Sequence, residues 1–149
     1  MSIFAIKLQE FQATCSRNAA AIAQRTAFDA FSSVVMMTPV DTGRARANWI
    51  PSIGEPAIGV TDEFDPAGSN TIDQIMSFLP EFKLGTIAYL TNNLPYINTI
   101  EDGGYPNPPK ARTGKTENGY SIQAPAGMVQ LTVLNIANKF ESIARGAKP

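Results

Sequence analysis

The N-terminal segment carries the clearest pattern of apolar positions in the chain. From Phe4 to Met37 there is no Gly or Pro, and alanine is abundant, which favours a helix. Apolar or small residues recur along it in steps of three and four and form one stripe: Phe4, Leu8, Phe11, Cys15, Ala19 and Ile22. A second set follows at a rotated position: Phe28, Phe31 and Val35. The helix therefore either buries a second face or breaks near Arg25, and it must end near Thr38, because a residue before proline disfavours helical backbone angles.

Two short segments in the middle of the chain predict strands. In "RARANWIPSI", Ala45, Ala47 and Trp49 stand at alternate positions, which is typical of a strand. The segment "GTIAYLTNN" predicts a second strand. Between them, the stretch from Gly54 to Ser69 is polar and rich in Gly and Pro, so we expect little regular structure there.

Three further helices follow from apolar spacing and from capping residues. "NTIDQIMSFLPEF" predicts a short helix with Asn70 or Thr71 as its N-cap. Its apolar positions are Ile72, Ile75, Met76 and Leu79. "LPYINTIEDGG" suits one or two turns, with Pro95 at the start and glycine at the end. A last amphipathic helix is predicted from about Met128 to Arg145. One face of it carries Val129, Val133, Ile136, Phe140 and Ile143.

These elements together predict an α+β fold. Long N-terminal and C-terminal helices would pack on a small antiparallel or mixed sheet, and two long loops would complete the chain. The segment from Tyr105 to Gly119 has Pro, Gly and Lys without hydrophobic periodicity, so we expect an extended loop at about 104–119. A single domain covering 1–149 is expected from the length.

Composition narrows the class of protein further. The net charge of −1 argues against tight, sequence-independent binding of nucleic acid. Charged residues make up 17% of the chain, against about 25% in ordinary soluble domains, a shortfall that suits a protein covered by its neighbours. No apolar run approaches the ~20 residues of a membrane span. We therefore expect a soluble protein that is made in a reducing cytoplasm and does not contact a membrane.

The sequence contains no histidine and one cysteine, which excludes several kinds of site. Ser-His-Asp and Cys-His mechanisms need an imidazole, and zinc prefers nitrogen and sulfur ligands. Cys15 falls in a helical pattern and is predicted to be a small buried residue. The acidic stretch "TDEFDPAG" lacks the spacing of a calcium loop, so it is predicted to be a solvated loop. We expect no metal and no cofactor.

The stretch "TPVDTGRARANW" contains the Asp-Thr-Gly triplet of aspartic proteases. In those enzymes the triplet follows a β-strand in an all-β fold, and two aspartates share a proton. Here it follows a long helix and a proline, and Arg44 comes next. A turn accounts for every position, since Pro39 stops the helix, Asp41 and Thr42 bond local backbone groups, and Gly43 supplies a positive φ. The triplet is therefore interpreted as a turn and not as a catalytic site.

The stretch "ARTGKTENG" ends like a phosphate-binding loop at Gly114, Lys115 and Thr116. That motif needs a glycine five residues before Gly114, and Pro109 stands there. It also needs a strand before and a helix after, and neither is predicted. The stretch is interpreted as a basic loop tip.

Three motifs in fixed order resemble the small neck and tail-completion proteins of tailed bacteriophages, the tail-component family that includes the lambda-like minor tail protein Z. The resemblance covers most of the chain. The turn after the first helix resembles the family's at Pro39, Asp41, Thr42, Gly43 and Arg44. The central strand and the turn after it resemble the family's at Tyr89, Asn92, Asn93, Pro95, Tyr96, Glu101 and Gly103. The start of the last helix resembles the family's at Gln123, Ala124, Pro125, Gly127 and Met128.

The resemblance implies a virion structural protein and not an enzyme. It would be a subunit of the head–tail junction that joins or finishes the tail around the DNA channel, in a homo-oligomeric ring of sixfold or twelvefold symmetry. Its expected partners are portal, adaptor, tail-terminator or tail-tube proteins, and DNA would pass without sequence-specific binding. It would be made in the cytoplasm of the host bacterium and assembled into the virion.

The segment from Tyr105 to Gly119 departs from the family pattern as a longer insertion. Its candidate interaction residues are Pro108, Pro109, Lys110, Arg112 and Lys115. It contains little apolar surface to offset the entropy of ordering. We expect it to order only against a neighbouring subunit or an adjoining ring.

Alternative functions stay open at this level. The chain could be a tail terminator or another ring protein of the tail-tube end. It could be a small nucleic-acid-binding module, for which Arg44, Arg46, Lys110, Arg112 and Lys115 would have to share one face. The aspartic protease is the third alternative.

Overall fold

A computed structural model describes residues 3–104, 116–117, 120–122 and 127–146 of the chain. It shows an α+β fold with long helices at both ends, as the sequence predicts. The helices are α1 (Ile3–Met37), α2 (Arg44–Ala47), α3 (Ser69–Phe78), α4 (Ile97–Glu101) and α5 (Met128–Gly146), with a 3₁₀ turn at Leu79–Glu81. The strands are β1 (Ile50–Ile53), β2 (Ala88–Thr91), β3 (Thr116–Glu117) and β4 (Tyr120–Ser121).

Helix α1 runs without a break past Arg25, so the predicted alternative of a break there is wrong. Its second half faces the protein: Val34 and Val35 are buried, and Phe28 and Phe31 pack against the core. The first half does not, because residues 3–19 are exposed apart from Ala5, which is partly exposed. The prediction that Cys15 is buried is therefore wrong for this chain by itself.

The sheet that organises the middle of the chain is an antiparallel pair. Strand β1 pairs with β2 from Ile50 opposite Thr91 to Ile53 opposite Ala88. Helix α3 contacts both β1 and α1, so that it lies between the sheet and the long helix. The core lies where these elements meet: Val34, Val35, Ala45, Trp49, Ile75, Leu79, Leu94, Ile100 and Met128. Met76, predicted on the apolar face of α3, is instead 58% exposed.

The strand predicted for residues 44–53 forms only at its end, as β1, and its first four residues form the one-turn helix α2 instead. Ala45 and Trp49 lie four residues apart and are both buried, which is the spacing of a helical face. Gly43 precedes α2 with φ 90 and fixes the direction of entry. The strand starts only at Ile50. The helical turn buries the side chains of Ala45 and Trp49 on one face, whereas a strand would place three alternate positions on that face.

The C-terminal part confirms the last predicted helix, since α5 covers Met128–Gly146 and packs along α1. Among residues 128–140 the buried side chains are Met128 and Thr132. Of the predicted apolar face, Val133 is 61% and Phe140 45% exposed, whereas Ile136 is partly buried beside α1, so only part of that face packs inward. The side chain of Ile143 lies outside what the structure describes.

Strands β3 and β4 pair antiparallel, with Thr116 opposite Ser121 and Glu117 opposite Tyr120. Thr116 and Glu117 therefore lie in a strand, and the prediction of an extended loop is wrong for these two residues. Thr116 is thus in a strand and not at the start of a helix, unlike the threonine of a phosphate-binding loop. Other predicted positions lie outside the described residues, including the interaction residues Pro108, Pro109, Lys110, Arg112 and Lys115 and the motif residues Gln123, Ala124 and Pro125.

Candidate functional site

The turn between α1 and α2 is held by the end of α1 itself. Thr38 is buried, and its hydroxyl donates to the carbonyl oxygen of Val34 at 2.7 Å while accepting the indole N–H of Trp49 at 2.8 Å. Gly43 has the predicted positive φ. A Cβ at position 43 would lie 2.4 Å from the backbone nitrogen of Pro66, so the turn also needs glycine to let the loop approach.

The aspartate of the Asp-Thr-Gly triplet is exposed on this turn. Asp41 follows helix α1 and precedes α2, whereas a catalytic aspartate of this kind follows a strand. The Thr42 hydroxyl accepts the backbone N–H of Arg44 at 3.3 Å, a bond of the local kind that the turn interpretation predicts. Arg44 reaches outward and pairs with Asp62 at 2.7 Å.

Arg46 links the end of α1 to the loop that covers it through hydrogen bonds. Its guanidinium donates to three backbone carbonyls, those of Met36 at 2.8 Å, Thr38 at 3.0 Å and Pro66 at 2.8 Å. Burial lowers the pKa of Arg46 from its ordinary value, and the charge of Asp65 opposes that effect. Since Arg46 is committed to the backbone, the nucleic-acid alternative loses one of the five cations that it requires to share a face.

Asp65, predicted to lie in a solvated loop, is only 4% exposed. One carboxylate oxygen accepts the backbone N–H of Gly68 at 2.9 Å, and the other accepts the backbone N–H and the hydroxyl of Thr71, each at 2.9 Å. These groups lie at the start of α3, where backbone N–H groups lack helical partners. Gly68 is the N-cap residue with φ 78, so the prediction of Asn70 or Thr71 as N-cap is wrong. A side chain from the preceding loop satisfies the donors instead.

Two asparagines fix the long loop between β1 and α3, and a third ties β2 to α2. Asn48 is fully buried, donates to the carbonyls of Arg44 and Thr61, and accepts the N–H of Thr61 at 2.8 Å. Asn93 donates to the carbonyls of residues 57 and 59, both at 3.0 Å. Asn92 donates to the carbonyl of residue 45 at 2.9 Å and so ties the end of β2 to α2. The loop is therefore ordered by hydrogen bonds from side chains and not by the backbone hydrogen bonds of a β-sheet.

The second and third motifs meet at the start of α5. The carboxylate of Glu101 accepts the backbone N–H groups of Met128, Val129 and Gln130, all at 3.0 Å. A Cβ at Gly127 would lie 2.5 Å from the carbonyl oxygen of Glu101, and the φ of Gly127 is 85. Of the remaining described residues of the second motif, Gly103 is buried at φ 81, Tyr89 lies on β2, Pro95 is exposed and Tyr96 packs on the core.

The sequence pattern does not mark Asn48, Asp65 and Arg46 as residues that hold the backbone together. Each forms hydrogen bonds with backbone groups that are distant in sequence or that belong to an element whose predicted start was wrong. The available signal was their residue type: buried Asn, Asp and Arg are found inside proteins only with partners.

These bonds have a common property. Asn48, Asp65, Asn92, Asn93 and Glu101 all form hydrogen bonds with backbone N–H or C=O groups. Within the described ranges there is no cluster of three or more His, Cys, Asp or Glu side chains that could hold a metal ion. The same ranges contain no helix that is both long enough and apolar enough to cross a membrane.

Comparisons of the chain with protein-family models, with curated proteins and with solved structures give no match. Support for a function therefore comes from the residues of the chain.

Large apolar side chains lie exposed on three surfaces of the described chain. One is the first half of α1, which carries Ile3, Phe4, Ile6, Leu8, Phe11 and Ile22. The second is α5, with Val133, Leu134 and Phe140, and the third is the long loop, with Ile58, Val60 and Phe64. A cleft of about 320 Å³ between α1 and α5 lies next to the first two, lined on its apolar side by Ala21, Ile22, Ile136 and Phe140. Contiguous exposed apolar surface of this kind marks interaction sites.

Proposed function

We propose that this chain is a structural subunit of the head–tail junction of a tailed bacteriophage. In this role it is a neck or tail-completion protein that forms a homo-oligomeric ring around the DNA channel and joins or finishes the tail. The proposal is non-enzymatic, and its localisation is the virion. The three motifs in fixed order are its sequence basis.

The main support for the proposal is that the motif side chains hold segments of the backbone together. Asn92, Asn93 and Glu101 hold backbone segments together, and Gly43 and Gly127 permit close approach of one segment to another. Motif residues that are used in this way favour a scaffold over a reaction centre.

The second support is the surface that the fold leaves uncovered. The long loop is ordered through Asn48 and Asn93, yet it presents Ile58 at 92% and Phe64 at 58% exposure. Because the loop is already ordered while its apolar side chains are exposed, binding a partner costs little further conformational entropy. In a ring, such loops would meet the next subunit or the adjoining portal, adaptor or tail-tube protein.

The charge of the chain is compatible with a DNA channel. A net charge of −1 gives no general attraction to phosphate, so DNA could pass without being held. The tail-terminator alternative shares this property and differs only in the position of the ring.

The test is a nonsense mutation in the phage genome that encodes this chain, complemented by the wild-type chain from a plasmid. Electron microscopy of the uncomplemented lysate should show DNA-filled heads and unjoined tails, and complementation should restore particles. Antibody labelling of complete particles should mark the head–tail junction. Tails of uncontrolled length would favour the terminator instead, and normal joined particles without the chain would refute both.

A further inference from the structure

The first half of α1 is a helix without cover in the single chain. The cleft between α1 and α5 reaches Ala21 and Ile22 on the α1 side. Towards the N-terminus from there, Phe4 is 76%, Leu8 54% and Phe11 67% exposed. Most of the stability of a helix in a protein comes from the packing of its apolar face, so this uncovered half of α1 would gain stability from a packing partner.

The spacing of the exposed residues identifies the kind of partner. Phe4, Leu8, Phe11, Cys15 and Ile22 recur in alternating steps of four and three, with Asn18 as the one polar position of the series. We name these five apolar residues the α1 seam. A repeat of about 3.5 residues is the signature of helices that pair along a shallow supercoil. The seam therefore fits another helix better than it fits a flat surface.

The area of the seam is sufficient for a specific contact. Its four large side chains expose between 54% and 76% of their surface, which amounts to roughly 600 Å² for side chains of this size. Two such faces would bury about 1,200 Å², the lower limit of stable, specific interfaces.

Asn18 decides between possible helical partners. In a parallel pair that is in register, each seam residue meets its own counterpart, so that Asn18 faces a second Asn18 and the two amides can bond each other. Any other register places an amide against an apolar side chain and leaves it unsatisfied. The seam is thus complementary to itself.

We propose that the α1 seam is a contact between copies of this chain, in which residues 3–22 of two copies pack in parallel and in register. A contact in which each residue meets its own counterpart has a two-fold axis, whereas neighbours around a sixfold or twelvefold ring meet through two different surfaces. The seam contact is therefore a two-fold contact between two copies, distinct from the contact between neighbours around the proposed ring. The observations on the seam itself do not depend on the virion.

The single cysteine provides a direct test on the full-length chain. Cys15 is exposed and lies in the seam, so in-register pairing brings two of its thiols together. Diamide would oxidise them to a disulfide and take up the two protons and two electrons that are released. The control is Ser16→Cys in a Cys15→Ser background, which moves the thiol about 100° around the helix. We expect the wild type to form covalent dimer at least about tenfold faster than the control.

The second test is association without oxidation, measured by sedimentation velocity over a range of concentrations. Leu8→Lys places a charge in the seam, and Ala13→Lys places the same charge on the opposite face of α1. Both positions are exposed in the single chain, so thermal unfolding of the monomer should be similar in the two variants. We expect Leu8→Lys to raise the Kd of self-association at least about a hundredfold, since a buried leucine is lost from both copies, and Ala13→Lys to leave it near wild type.

The outcomes separate this inference from the proposed function. A chain that stays monomeric at every concentration, or that associates equally in both lysine variants, overturns the seam contact and leaves the head–tail role to its own test. Conversely, seam-dependent association together with normal particles from the nonsense mutant supports the contact and refutes the head–tail role. Rapid cross-linking in the Ser16→Cys control would contradict the register.

Discussion

The carboxylate of Glu101, at the end of α4, accepts the backbone N–H of Met128, the first residue of α5, at 3.0 Å. The same carboxylate accepts the next two N–H groups of α5. The start of the helix carries unpaired donors and a partial positive charge, so a carboxylate there is stabilised twice, by hydrogen bonds and by the helix dipole. The pair ties α4 to α5 across 27 residues of sequence.

Replacing Glu101 by alanine should therefore destabilise the fold. We expect a loss of about 2 kcal/mol in the free energy of unfolding, because several charge-assisted bonds to one helix end are removed. Asp102→Ala removes a carboxylate one residue later, from an exposed position, and should change stability by no more than about 0.5 kcal/mol. Urea unfolding followed by circular dichroism measures both. Equal effects in the two variants would show that the cap does not stabilise α5.

Gly43 and Gly59 form a matched pair for testing close approach, since their φ angles are 90 and 89. A Cβ at Gly59 meets no atom within 4 Å, whereas a Cβ at Gly43 would lie 2.4 Å from the backbone of Pro66. Gly59→Ala should cost about 1 kcal/mol from backbone strain alone. Gly43→Ala should cost at least about 2 kcal/mol more, because a backbone segment has to move. Equal losses on thermal unfolding would show that Pro66 yields without cost.

The sequence predicted the elements whose pattern extends over many residues. Helices α1 and α5 are long and periodic, and β2 is bounded by turn residues on both sides. It failed at α2, because Ala45 and Trp49 fit a step of four as well as alternation, and only the packing selects between the two. Short segments of this kind are ambiguous until tertiary contacts are known.

The candidate site was predictable only where a conformation is local. Gly43 could be assigned a positive φ from its turn, but the partner of Glu101 lies at Met128, and no spacing rule reaches that far. For the α1 seam, prediction from the sequence is limited in a different way. Its pattern identified an apolar face, yet periodicity does not say whether the same chain or another one covers that face.

Thr38 and Trp49 allow a test of the turn that uses the only tryptophan of the chain. The indole N–H donates to the Thr38 hydroxyl at 2.8 Å, and both residues are buried. Thr38→Val keeps the shape and leaves a buried donor unpaired, which should cost about 1–3 kcal/mol. Urea unfolding monitored by tryptophan fluorescence measures the loss. In a Trp49→Phe background, followed by circular dichroism, the same substitution should cost clearly less, and an unchanged cost would mean that the hydrogen bond contributes nothing.

Asp29 provides a pH-dependent link between α1 and α5. It accepts a hydrogen bond from Lys139 at 2.7 Å and one from Arg25 at 2.9 Å. The bond from Lys139, together with the charges of both cations, lowers the pKa of Asp29 below its ordinary value of 3.8, while desolvation opposes the shift. Because the folded-state pKa is the lower one, the stabilisation is complete above the pKa of the unfolded chain and is lost as the pH falls through the folded-state pKa.

Asp29→Asn should therefore lower the free energy of unfolding at pH 7 by no more than about 1 kcal/mol, the range of partly exposed ion pairs. The difference from wild type should shrink as the pH falls below 3.8 and through the lowered folded-state pKa of Asp29, because the carboxyl of the wild type then becomes protonated as well. Urea unfolding at pH 7 and at a series of lower pH values checks this, and added salt should reduce the difference at pH 7. Lys139→Met is the matched background, since without the lysine the Asn substitution has less to remove. A loss of the same size at every pH would show that the contribution of Asp29 comes from its shape and not from its charge.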